Sequence, residues 1–107
     1  MLNQVIFVGR LISNPSIVEL GDKKVAEVTI AVPRNYKNEN GEYETDFIPL
    51  TIWNGIAENV CEYCKKGDLI GVKGRIESRP STSGDELVMS VVVEKVTFLS
   101  SAKSDDE

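Results

Sequence analysis

Only one stretch of this 107-residue chain carries its apolar residues at helical spacing; nearly everything else alternates in twos. The helical stretch follows Trp53. Ile56, Val60 and Cys64, joined by Ala57 and Cys61, recur at intervals of three and four and form one apolar stripe. Asn54 or Gly55 is expected to cap this helix, Lys65 and Lys66 suit its negative end, and Gly67 fits the residue just past it. A chain with one short helix among many strand segments has to bury its core mainly between strands.

Punctuation divides the strand segments. Met1–Ile12 is rich in β-branched and aromatic residues, with Gly9 marking a bulge or bend, and Asn14-Pro15 ends it. Ser16–Leu20 reads as a short strand closed by Gly21-Asp22. Lys24–Val32 alternates, with Ala26, Val28, Ile30 and Val32 on one side, and Pro33 is expected to end that strand or mark an edge. Asn40-Gly41 signals a hairpin turn whose two positions tolerate φ > 0. The return strand, Tyr43–Trp53, puts Ile48, Leu50 and Ile52 on one face and Phe47, Pro49, Thr51 and Trp53 on the other. Leu69–Ser78 and Leu87–Leu99 are further strands, with bends allowed at Gly71 and Gly74 and a flexible loop over Arg79–Glu86 between them. The fold class is therefore all-β with one helix. Its element order, with the helix between the third and fourth of five main strands, is that of an oligonucleotide/oligosaccharide-binding barrel spanning 1–99. Residues 100–107 form a short acidic tail, small and polar enough to be expected disordered.

The aromatics point to a function. The chain has only seven, and Tyr36, Phe47 and Trp53 fall on or beside the second and third barrel strands, the usual binding face of such a barrel. Phe47 and Trp53 lie opposite the apolar face of their strand. Flat rings on a strand surface can take the π-face of any base, which suits single-stranded nucleic acid and little sequence preference. The net charge of −5 argues against a nucleic-acid partner only until its distribution is read. Residues 1–79 sum to −1 and residues 80–107 to −4, so the bulk of the chain is near neutral and can gather its cations on one side. Arg10, Arg34, Lys37, Lys73, Arg75 and Arg79 are the candidates for phosphate contacts, which supply affinity without sequence information. Lys73 and Arg75 alternate onto one strand face and lead that set.

Other chemistries find little support. There is no histidine, which removes Ser-His-Asp and Cys-His catalysis and most zinc sites. Cys61-Glu-Tyr-Cys64 supplies two of the four ligands zinc needs and lies late in its helix, away from the dipole end that activates a redox thiol. The expectation is no catalytic residue, no metal and no cofactor, with both cysteines as small apolar residues. Nothing reads as a secretory signal or a membrane span, so the expected compartment is the cytosol, without a membrane partner.

Several stretches now read together: Met1-Leu2-Asn3, Val8-Gly9-Arg10-Leu11, Thr29-Ile30-Ala31-Val32, Asp46-Phe47-Ile48, Trp53, Ala57-Glu58-Asn59, Lys65-Lys66-Gly67 and Gly71-Val72-Lys73-Gly74-Arg75. In this order and spacing, residues 1–99 resemble the bacterial single-stranded DNA-binding protein family. The resemblance implies a homotetramer, or at least a dimer, that wraps single-stranded DNA during replication, repair and recombination, with Tyr36, Phe47 and Trp53 at stacking positions. Two departures stand out: Arg79-Pro80-Ser81-Thr82-Ser83 carries no ring where the family often has one, and Gln4 stands where many relatives are basic. The family's acidic tip usually ends in apolar residues that dock replication and repair proteins. Asp105-Asp106-Glu107 has none, so docking through the tail is not expected to carry over. Two rival readings are a primosome-type barrel acting as a protein-interaction subunit and a thiol oxidoreductase using Cys61 and Cys64.

Overall fold

The computed structural model describes residues 1–102; the rest of the expected acidic tail, 103–107, lies outside the described residues. The elements run β1 (Val5–Leu11), β2 (Val18–Leu20), β3 (Lys23–Lys37), β4 (Tyr43–Trp53), α1 (Asn54–Tyr63), β5 (Leu69–Pro80) and β6 (Leu87–Ser100). Pairing follows β1-β5-β6-β4-β3, and β1 pairs again with β3, which closes five strands into a barrel; β2 is an outer strand hydrogen-bonded to β3 alone. All pairs are antiparallel except β4 with β6, where Leu50 meets Val91 and Thr51 meets Val92. The mostly-strand barrel with one helix matches the oligonucleotide/oligosaccharide-binding architecture expected from the element order.

Period-two alternation builds the interior. Ala26, Ile30, Ile52 and Ile70 are fully buried, with Leu11, Leu50 and Val72 nearly so. Each such aliphatic side chain contributes about 1.5–3 kcal/mol relative to exposure. Helix α1 adds Ala57 and Val60 to the same core and packs on β3, β4 and β6, with Ile56, Cys61 and Cys64 half-buried along the expected stripe.

Two glycines let the barrel close. At Gly9 a Cβ would stand 2.6 Å from the Ala31 carbonyl oxygen, so only a bare backbone permits β1 to cross from β5 to β3. The register through Gly9 is unbroken, so the residue serves close approach and no bulge forms there. A bulge in β6 lies opposite Gly74. Lys73 pairs with Lys95 but Gly74 with Val93, which skips Glu94, and a Cβ at Gly74 would run into the Val92 carbonyl oxygen.

Several boundaries differ from the sequence reading. β3 does not stop at Pro33 but runs on to Lys37. Ile12 donates to the Thr29 carbonyl, so by alternation Thr29, Ala31 and Pro33 turn their backbone groups toward β1, and β1 pairs with β3 no further than Ala31. The donor that proline lacks therefore falls on an open edge. The turn holds together through Asn38: its carbonyl accepts from Gly41 N–H, and its Oδ1 accepts from Asn40 and Glu42 N–H. Gly41 takes φ 79°, while Asn40 is not left-handed. Neither Asn54 nor Gly55 caps α1. The cap position is Trp53, without a side-chain bond, because Asn54 Oδ1 accepts from Lys24 N–H instead. Gly67 is left-handed, but it lies beyond the helix end in a turn where Asp68 N–H donates to the Lys65 carbonyl.

Asp68 is the single buried charged residue among the described residues. Its carboxylate accepts from Lys65 N–H at 3.0 Å and from Ala102 N–H at 3.1 Å, pinning the end of β6 to the turn after the helix. Ser100 belongs to β6, and Ser101 and Ala102 are half-buried beyond it. No helix among the described residues is long and apolar enough to cross a membrane.

Candidate nucleic-acid interface

The outward face of β3 and β4 is set by register. Ala31 pairs with Phe47, Thr29 with Pro49, Glu27 with Thr51 and Val25 with Trp53. Because Leu50 and Ile52 fill the core, Phe47 and Trp53 must both face out. Six residues along a strand separate them by about 20 Å, so they are two platforms and not one stack.

Each platform has its own surroundings. Phe47 is 61 % exposed, and Arg10 lies in the same row, across Ala31. Arg10 lines a hollow with Ala31, Pro33 and Thr45 and donates to the Gly67 carbonyl at 2.9 Å. Trp53 is half-buried in a groove of about 490 Å³. Val18 and Leu20 from β2 form one wall of it, Val25, Thr51 and Val92 line it from the barrel strands, and Glu27, Glu77, Arg79 and Ser90 supply its polar groups. Arg79 donates to Ser90 Oγ at 3.3 Å and shares this groove with the indole. A ring set among aliphatic walls, with a guanidinium nearby, can hold a base by stacking and a phosphate by charge. Tyr36 is 62 % exposed and lies in the irregular stretch between the Pro33–Thr45 and Lys37–Tyr43 pairs.

The remaining cations fall into two groups. Arg34 alternates with Val32 onto the face opposite Phe47. There it donates to both Asp46 oxygens, the shortest contact being 2.8 Å, and to Glu44 at 2.9 Å. The pairing raises Arg34 well above its ordinary value and lowers Asp46 below the usual carboxylate value, through the hydrogen bond first. Arg75 is held in the same way, by Glu94 at 3.0 Å and Glu77 at 2.8 Å, which raise it further. The bulge opposite Gly74 is what brings Glu94 within its reach. Lys37 and Lys73, by contrast, have no carboxylate partner among the described residues; Lys37 stands 5.7 Å from the Tyr43 ring centre. Lys73 projects beside Ile6, directly across from Lys95.

The structure thus joins Arg10 to Phe47 and Arg79 to Trp53. It sets Lys73 apart on β5 and ties Arg34 and Arg75 to acidic neighbours. Sequence reasoning missed Lys95, whose place opposite Lys73 depends on the β5–β6 register, and the groove walls from β2. It could have found the Arg75–Glu77 pair, since residues two apart on a strand share a face. Burial pushes both Cys61 and Cys64 thiols up, with Asp68 adding to the shift at Cys64, which is the reverse of thiolate activation. No group of three or more candidate metal ligands occurs among the described residues.

The chain is similar to known proteins over nearly its whole length. Residues 2–99 match the profile of the single-strand binding protein family. The chain is 43 % identical to "Single-stranded DNA-binding protein 1" of Clostridium acetobutylicum, over 95 % of this chain and 97 % of that protein. It is 41 % identical to "Single-stranded DNA-binding protein B" of Bacillus subtilis, over 92 % and 91 %. A third relative, "Single-stranded DNA-binding protein" of Halalkalibacterium halodurans, is 43 % identical over 92 % of this chain and 61 % of its own length. With a family match over nearly the whole barrel, the chain belongs to the single-strand binding protein family.

Proposed function

We propose that this protein binds single-stranded DNA without strong sequence preference and covers exposed strands during replication, repair and recombination. The observation that carries the reading is the outward placement of Phe47 and Trp53, opposite a fully packed core face, in a chain of this family. Base stacking on Tyr36, Phe47 and Trp53 supplies one part of the affinity, and phosphate neutralisation the other. Arg10, Lys37, Lys73 and Arg79 lead the phosphate contacts, because none of them is committed to a carboxylate among the described residues. Arg34 and Arg75 rank behind them, since each would first have to leave two acidic partners. The role is non-enzymatic and needs no cofactor, and the working compartment is the cytosol.

Exposed apolar groups on β1 support a homo-oligomer, a tetramer or at least a dimer. Ile6 and Val8 point outward beside Lys73 and Thr97, and Leu2 precedes them almost fully exposed. A second copy would cover them. Single-stranded DNA is the partner. Fluorescence anisotropy with labelled oligothymidine and a duplex of equal length tests the function. Tight, salt-sensitive binding of the single strand and weak binding of the duplex are expected. Equal affinity for both would contradict the reading. Light scattering at micromolar concentration tests the assembly, and a stable monomer would reject it.

A further inference from the structure

The Trp53 groove holds a carboxylate with no partner among the described residues. Glu27 sits on β3, two residues from Val25, the residue paired with Trp53, and on the same face. It lines the groove and is exposed, and its side chain makes no hydrogen bond or ion pair among the described residues. The other carboxylate there, Glu77, is taken by Arg75. A lone anion at this position works against phosphate, so a surface built only to track a phosphate chain gains nothing from it. Glu27 and Trp53 are diagonal neighbours on adjacent strands, about 7–8 Å apart, a gap that a base lying on the indole can bridge with its ring radius and one hydrogen bond.

We propose that Glu27 makes the Trp53 groove selective for bases that carry an exocyclic amino group over thymine. The inference rests on the reading of Trp53 as a stacking platform. A carboxylate is purely an acceptor. Cytosine N4, adenine N6 and guanine N2 each present N–H donors to it, and cytosine N4 to an acidic side chain is an established pairing. Thymine presents the O4 carbonyl where cytosine presents its amine, which sets acceptor against acceptor. Arg79, across the groove, remains available to the phosphate of whichever nucleotide is bound. Sequence-tolerant stacking and a local base preference are compatible, because the π-face is read by Trp53 and the edge by Glu27.

The test is a titration of short dC and dT oligomers of equal length, followed through Trp53 fluorescence, for the intact chain, Glu27→Gln and Glu27→Ala. Trp53 is the sole tryptophan, so the signal reports this groove. Removing a negative charge strengthens binding of both oligomers, and their ratio cancels that effect. The dC-over-dT affinity ratio should fall by about three- to tenfold in both variants, the size of one charge-assisted hydrogen bond shared with solvent. A glutamine can accept from an amine or donate to O4, so it abolishes the preference as alanine does. Quenching by both oligomers with a ratio that moves less than about twofold overturns the inference and leaves stacking intact. No quenching by either oligomer overturns stacking at Trp53, and the inference with it.

Discussion

Two cations on the same strand face should behave differently toward salt. Lys73 and Arg75 both project outward from β5, two residues apart, yet Arg75 is held by Glu77 and Glu94 while Lys73 faces Lys95 and makes no ion pair among the described residues. For single strands, each phosphate neutralised steepens the log–log dependence of affinity on salt by about 0.7. Lys73→Ala should therefore flatten the slope by about 0.7. Arg75→Ala should change it little, because no counterion-releasing contact is lost; affinity falls through the field of the two freed carboxylates. Glu77→Gln loosens one of the two holds on Arg75 and should steepen the slope. Lys23→Ala, at the first residue of β3, is the control with no change expected. The assay is oligothymidine anisotropy across a salt series for all four variants. Equal flattening by Lys73→Ala and Arg75→Ala would show that Arg75 leaves its carboxylates to meet the strand, and would refute the reasoning.

Three further outcomes concern stability. Gly74→Ala should destabilise by about 1–3 kcal/mol in chemical unfolding, because its methyl group meets the Val92 carbonyl oxygen, while Gly71→Ala, with its nearest atom at 3.6 Å, serves as the tolerated comparison. Asp68→Ala leaves the Lys65 and Ala102 N–H donors unpaired at a site 2 % exposed and should cost about 1–3 kcal/mol, with a smaller loss for Asp68→Asn, which keeps one acceptor. The Arg34 pair lowers Asp46 below its ordinary value of 3.8, so its stabilisation is complete above that pH and is lost as pH falls through the lower folded-state value. Melting temperatures measured down an acid series should show that loss in the intact chain and a flatter profile in Asp46→Asn.

The barrel was legible because one helical stripe among period-two segments leaves few ways to bury a core. The strand Tyr43–Trp53 showed the most: Ile48, Leu50 and Ile52 against Phe47 and Trp53 assigns both faces without knowledge of any neighbour. What stayed hidden depends on register. Arg34 looked available until the hairpin set it beside Glu44 and Asp46. Glu94 reaches Arg75 only because the bulge opposite Gly74 removes it from the ladder. Asn54 read as a helix cap, and local spacing could not show that Lys24, thirty residues earlier, uses its side chain. Pro33 read as a strand end or an edge, and the choice between them stayed open because the sequence does not show which of its two sides lies open.

The central claim is that Trp53 receives a base, and it can be measured directly. Oligothymidine titrated into the intact protein should quench the emission of this single tryptophan, and Trp53→Ala should weaken binding by about 1–3 kcal/mol while the melting curve keeps its cooperativity. Saturable binding with unchanged Trp53 emission, and unchanged affinity in a folded Trp53→Ala variant, would contradict the account.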